Sequence, residues 1–129
     1  MRKYPTLIVS LLLLSSFGLW LREMDAHFQL ARNPSEFITS RAEAAERLDE
    51  LHRRVLQKEL IKELAPVLWN SRTTDAAYIL GEIGDKEALT RLRESDSQFH
   101  LYGGNTSAFI DGAIDRLEAR LNGRRLSRF

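Results

Sequence analysis

The chain is predicted to be all-α, with an N-terminal transmembrane or signal-anchor helix followed by a small bundle of helical hairpins. Three observations carry this expectation. Thr6 to Leu21 runs without a charged residue behind the basic start Arg2-Lys3. From Arg41 to Leu64 there is no Gly or Pro, and Ala, Glu, Arg, Leu and Lys, all strong helix formers, predominate. Beyond Ser71, apolar residues recur at helical spacing on both sides of a Gly84-Asp85 turn.

The bulk properties bound the possibilities. A length of 129 residues accommodates one modest domain, of which roughly 90 residues lie beyond the hydrophobic N-terminus. The 19 basic and 18 acidic residues nearly cancel, which argues against general nucleic-acid binding. The tail Arg124-Arg125-Leu126-Ser127-Arg128-Phe129 is basic without acidic relief; a solvated terminus is preferred there to a docking peptide or a lipid-headgroup contact. The chain has no cysteine, which excludes disulfides, thiolate metal sites, a cysteine nucleophile and an acylated-cysteine anchor.

For residues 1–32 a cleaved signal peptide competes with an uncleaved signal anchor. Cleavage needs small residues at two recognition positions, and neither Ser16-Phe17-Gly18 nor Met24-Asp25-Ala26 supplies them well. The run from Thr6 to Leu21 covers only about 24 Å of a roughly 30 Å hydrocarbon core. Tyr4 and Trp20 compensate, being ring types that sit at the two headgroup levels. The anchor is the favoured reading, with the membrane entered through residues 4–21. Arg2 and Lys3 then keep the N-terminus cytoplasmic and send the remainder across. The expected location is the cell (inner) membrane, single-pass, with a periplasmic or otherwise extracytoplasmic C-terminal domain. Secretion after cleavage is the alternative. Met24, Phe28 and Ala31 share one side of a stalk that continues to Asn33-Pro34. There Asn33 as N-cap, Pro34 and Glu36 signal a helix restart, and Ser40 to Glu43 offers a second capping box.

Residues 33–70 read as a long amphipathic helix whose apolar face changes sides. Ala44, Leu48, Leu51 and Val55 form one narrow stripe at coiled-coil spacing. Leu56, Leu60, Leu64 and Val67 form a second, rotated by well over ~90° at 3.6 residues per turn. The first half is expected to pack on the stalk and the second on the hairpin. The competing reading pairs the Ala44–Val55 stripe with a second copy or with another protein's helix. Pro66 kinks or restarts the helix, and Val67, Leu68 and Trp69 enter the core.

Residues 71–123 hold the most structured signal. Ser71 to Thr74 is rich in N-cap residues, and Asp75 suits a positive helix end. Ala76, Ala77, Leu80 and Ile83, widened by Ile79, form the buried face of the next helix. Gly81 costs about 1 kcal/mol relative to Ala in mid-helix, so a close backbone contact is its natural reason. Gly84 suits a left-handed helix end, and Asp85 caps a second helix that buries Ala88, Leu89 and Leu92. Ala76-Ala77, Leu80-Gly81, Ile83-Gly84-Asp85, Ala88 and Leu92 resemble, position for position, the HEAT-like repeats named after phycobilisome lyases. The resemblance implies a right-handed stack of antiparallel helix pairs that serves as a protein-binding surface. It does not carry lyase chemistry, since no bilin-handling residues are identifiable. Ser95 to Asn105 departs from the pattern as a polar, glycine-containing loop. Ser107 to Leu121 is the next helix, with Ile110, Ala113, Ile114, Leu117 and Leu121 inward and Asn122-Gly123 as its end. The chain thus holds one good repeat and a half repeat, leaving 124–129 as the tail.

No catalytic constellation emerges. His27, His52 and His100 fall in different elements, and His52 beside Arg53-Arg54 reads as solvated. The segment Gln98 to Gly104 is read either as a contact loop bearing Phe99, His100 and Tyr102 or as a cap on the core. Gly103-Gly104 lacks the lysine of a phosphate loop, and Asn105-Thr106-Ser107 is better explained as helix capping than as a glycosylation sequon. Asp111 and Asp115 lie one turn apart on a solvated face. The expectation is a non-enzymatic, cofactor-free, membrane-anchored adaptor that binds another protein. Its surfaces would be Lys86, Thr90, Arg91 and Arg93 together with Phe99, His100 and Tyr102, with Gly81, Gly84 and Asp85 forming the repeat turn. The alternative is a structural protein self-associating through Ala44, Leu48, Leu51 and Val55.

Overall fold

A computed structural model describes the backbone of residues 4–64, 71–102 and 107–126, and within them the side chains of 8–64, 72–98 and 109–123. Among these residues the chain is all-α: α1 (Tyr4–Arg32), α2 (Ile38–Glu46), α3 (Glu50–Glu63), α4 (Ser71–Ile83), α5 (Lys86–Tyr102) and α6 (Ser107–Leu126). Pro66 to Trp69, Gly103 to Thr106, Arg2-Lys3 and Ser127 to Phe129 lie outside the described residues.

α1 is one uninterrupted helix with two environments. From Ile8 to Leu21 its apolar side chains are exposed on every side, Leu14 at 67% and Leu19 at 66%. One turn later Met24 and Ala31 are buried, and Phe28 and Leu30 pack against the core. The uncharged stretch with described side chains, Ile8 to Leu21, covers about 21 Å. Among the described residues no helix is long and apolar enough to cross a membrane.

The expected long helix over 41–64 is two helices. α2 ends at Glu46 with Arg47 as its C-cap, and Asp49 then adopts an extended conformation and accepts the backbone N–H of His52 at 2.8 Å. An aspartate N-cap starts a new helix here, which removes the need for one helix to bury two opposed faces. The stripe is divided accordingly. Ala44 and Leu48 are buried in the chain's own core, whereas Leu51 and Val55 are 69% and 44% exposed. Leu56, Leu60 and Leu64 are buried as expected.

α4 lies at the centre. Ala76, Ala77, Ile79 and Leu80 are fully buried, and its closest packing is on α6, with α2 and α3 on its other sides. Small residues permit the α4–α6 approach: a Cβ on Gly81 would sit 3.2 Å from both Cα and O of Ala113. α5 also packs on α6, burying Ala88 and Leu92, while Ile110, Ala113 and Leu117 form the inward face of α6. Gly84 lies outside the left-handed region expected for it. Its requirement is steric, since a Cβ would fall 2.5 Å from the Leu80 carbonyl oxygen and 2.6 Å from the Ala88 Cβ.

Two further boundaries differ from expectation. α5 continues through Ser95 to Tyr102, where a loop was anticipated. Ser95 is buried and donates its hydroxyl to the Leu64 carbonyl at 3.2 Å, and Ser97 bonds back to Arg93 O at 3.0 Å. These hydroxyls have partners inside the helical arrangement, so polarity did not mark a chain break. α6 likewise passes through Asn122-Gly123 to Leu126; a glycine in a helix costs about 1 kcal/mol but does not by itself end one.

The last carbonyls of a helix have no partner within it. Here side chains from other helices supply them. Arg41 Nε donates to Ala31 O of α1 at 2.9 Å, Arg53 donates to Glu46 O at the end of α2, and Arg120 donates to Gly84 O after α4 at 2.6 Å. At the end of α3, the Thr73 hydroxyl meets Glu63 O at 3.1 Å and Ser95 meets Leu64 O. Guanidinium groups at these positions also oppose the negative ends of the helix dipoles. Three of the chain's arginines are thereby structural.

Candidate functional site

The residues expected to form one binding face on α5 are divided between two grooves. Lys86, Thr90, Arg91 and Arg93 are all exposed. Arg93 pairs with Glu118 at 2.5 Å and, with Lys86, Leu89, Thr90 and Leu121, lines a groove of about 490 Å³ between α5 and α6. Arg91 instead pairs with Glu94 at 3.2 Å and borders a groove of about 280 Å³ against the end of α3, with Ile61 and Gln98. Phe99, His100 and Tyr102 belong to the last turns of α5 rather than a loop, and their side chains lie outside the described set.

At the Gly84-Asp85 turn the expected aspartate cap is present, while Gly84 is not left-handed. Asp85 Oδ1 accepts the N–H groups of Glu87 at 2.9 Å and Ala88 at 3.3 Å, capping α5. Gln57 of α3 completes the turn, donating Nε2 to Asp85 Oδ1 at 2.8 Å and accepting the Asp85 N–H at 3.1 Å. Sequence spacing offered no sign of Gln57, because it sits next to the Leu56–Leu60 stripe and reads as a boundary polar residue.

His52 is not simply solvated. Its Nδ1 lies 2.7 Å from Asp49 Oδ1, and its ring meets Phe28 edge-on at 5.8 Å between centroids. The backbone N–H of His52, followed by its ring nitrogen, holds the Asp49 carboxyl below its ordinary pKa. Glu63 moves the other way. Burial raises its pKa, partly countered by Arg41 and Arg72, and its Oε2 is buried without a hydrogen-bond partner among the described residues. His27 lies 3.7 Å from Glu23 on its own helix. Among the described residues no group of three or more His, Asp or Glu side chains is placed to hold a metal ion.

The most distinctive exposed surface was not anticipated. Phe37 and Phe109 are 81% and 63% exposed. Phe109 lines an open groove of about 240 Å³ with Ile38, Tyr78, Gly112 and Arg116, and Phe37, the N-cap of α2, precedes Ile38 in sequence. Gly112 leaves the floor open, since nothing lies within 4 Å of a Cβ built there. Arg116 stacks on Tyr78, its guanidinium carbon 4.4 Å from the ring centroid, and its Nε lies 3.6 Å from Glu82. Aromatic residues and a stacked arginine around an open apolar groove are the composition of an interface centre. α1 itself ends at Arg32, about 16 Å past Leu21 along the helix axis, and Phe37 follows five residues later. The available signal was that Phe37 and Phe109 each fall one position outside a buried face.

No family model, no curated protein and no solved structure matches this chain.

Proposed function

We propose that the chain is a membrane-anchored, non-catalytic adaptor: α1 enters the bilayer, and the helical body outside the cytoplasm binds another protein. The observation that supports this most is the continuity of α1. A stretch apolar on every side, Ile8 to Leu21, is left exposed among the described residues, and the same helix then supplies Met24, Phe28 and Ala31 to the body. Exposed apolar surface on this scale calls for lipid or a partner, and the uniform distribution around the helix suits lipid rather than a one-sided docking groove. On this reading the body is a short fragment of HEAT-like architecture, with α4 and α5 bearing the residues of the resemblance.

The partner-binding surface is the Phe37–Phe109 groove, which the anchor holds away from the bilayer. The test is site-specific photocrosslinking in native membranes. A photoreactive phenylalanine at position 37 or 109 is expected to yield one discrete heteromeric adduct, and the same group at Glu87, exposed on α5, is expected to yield none. Equal labelling at all three positions, or no adduct at 37 and 109 with α1 intact, would refute the assignment.

A further inference from the structure

Two of the arginines that hold helix ends, Arg53 of α3 and Arg120 of α6, also line one pocket. It has a volume of about 540 Å³ and lies where α3 and α6 meet the Gly84-Asp85 turn. Ligand pockets of this size combine apolar walls with a few fixed polar groups. Here Leu48 and Ile83, both part of the buried core, supply apolar wall. The polar side is held in place. Gln57, one turn after Arg53, bonds Asp85 at 2.8 Å and 3.1 Å and so ties α3 to the turn. Arg120 is fixed through Nη2 to Gly84 O at 2.6 Å, and Arg53 through Nη2 to Glu46 O.

The charge lining this pocket is unbalanced. Arg53, Arg54 and Arg120 stand against Glu50 and Asp85, a net +1. Glu50 pairs with Arg54 at 2.7 Å. Asp85 commits Oδ1 to Gln57 and to the N–H groups of Glu87 and Ala88. Arg53 pairs with no carboxylate among the described residues, and its Nε is buried without a hydrogen-bond partner there. A charged donor withdrawn from water and unpaired is costly, and an anion beside the guanidinium offsets that cost. We propose that this pocket binds a ligand through a phosphate group held by Arg53 and Arg120, with the remainder of the ligand against Leu48 and Ile83. Guanidinium groups carried by two different helices meet one anion from two directions. A tetrahedral phosphate presents acceptors to both, whereas a carboxylate presents two oxygens in one plane. The pocket is larger than a phosphate alone requires, so the phosphate is one end of a larger molecule. The site does not depend on the anchor.

The test uses the full chain, isotope-labelled, in neutral detergent micelles, titrated with inorganic phosphate at constant ionic strength and followed by NMR. The expected result is a saturable set of amide and arginine Nε–H shifts confined to residues 53–57, 83–85 and 120–121, with acetate giving a much weaker response. Arg53→Gln is expected to raise the phosphate Kd about tenfold or more, and Arg91→Gln, at an exposed pair on α5, to leave it unchanged. Where loss of the Glu46 cap unfolds R53Q, the shift map of the unsubstituted chain decides. Shifts that do not saturate, that spread equally to Arg91 and Arg116, or that acetate reproduces would overturn the site. Glycerol 3-phosphate and dihexanoyl phosphatidic acid then distinguish a soluble monoester from a lipid headgroup by which binds more tightly. Neither binding better than inorganic phosphate would overturn the assignment of a larger ligand.

Discussion

Replacing Arg41 by Met keeps an unbranched apolar stem in a site that is 1% exposed and removes the guanidinium. Two hydrogen-bonded contacts are lost along with the attraction for Glu63, and the two contacts differ in weight. The bond from Nε to Ala31 O is short, 2.9 Å, buried and charge-assisted, and its carbonyl belongs to the last turn of α1. A charge-assisted bond is worth about 1.5–3 kcal/mol, and the orphaned carbonyl would have no partner inside its helix. The pair with Asp75 is long, 3.5 Å, and the aspartate side chain is 26% exposed, so water replaces much of it. Its share is about 1 kcal/mol or less. The total, about 2–4 kcal/mol, is a large part of the stability of a body of this size. With a urea m-value of about 1.5 kcal/mol/M, the midpoint of the full chain in micelles falls by about 1.3–2.7 M. The double mutant with Asp75→Asn separates the two contributions, and a coupling below about 1 kcal/mol is expected. A midpoint shift under about 0.3 M, or a coupling equal to the whole single-mutant effect, would refute the assignment of Arg41 to the α1 carbonyl.

Glycine substitutions are expected to have opposite signs at two positions: Gly84→Ala costs about 3 kcal/mol because the Leu80 oxygen and Ala88 Cβ occupy the space, whereas Gly112→Ala, facing open space, raises stability by about 1 kcal/mol. Thermal or urea midpoints decide, and a stabilised Gly84→Ala would contradict the steric account. Asp49 has a folded pKa below its ordinary 3.8, so its contribution is complete above that value and is lost as pH falls through the lower, folded value. Asp49→Ala should cost about 1 kcal/mol at neutral pH and remove that part of the acid dependence, measured by urea titration at stepped pH. Glu63 has a folded pKa above its ordinary 4.5, so ionisation works against folding, and its penalty develops as pH rises from that value through the folded one. Glu63→Gln is expected to raise stability at pH 7 and flatten this decline; unchanged stability would show that the carboxyl is better solvated than its burial implies.

What the sequence revealed was set by periodicity and by local caps. The buried faces of α4 and α6 follow directly from Ala76, Ala77, Leu80 and Ile83 and from Ile110, Ala113, Ile114 and Leu117, and the Asp85 cap acts within its own first turn. The α2–α3 break was present as an unread signal: the rotation between the two stripes required a break, and Asp49 was the residue able to make one. The Ser95–Tyr102 segment misled in the opposite direction, since composition suggested a loop while Leu92 and Ser95, both buried, continued the helical spacing. Arg41, Arg53 and Arg120 were illegible, because each caps the end of a helix other than its own, at separations set only by the fold. The Phe37–Phe109 surface combines residues from opposite ends of the body. Neither stands out alone, and only the exposure of both, with Phe109 lining a groove that Ile38 also lines, marks them.

The claim on which the functional reading depends is that α1 stays attached and enters a bilayer. Alkaline carbonate extraction of membranes containing the full chain, followed by intact-mass measurement of the recovered protein, tests it directly. The account predicts recovery in the membrane pellet with the Ile8–Leu21 stretch still present. Release into the supernatant, or a pelleted chain whose N-terminus begins beyond Leu21, would contradict it.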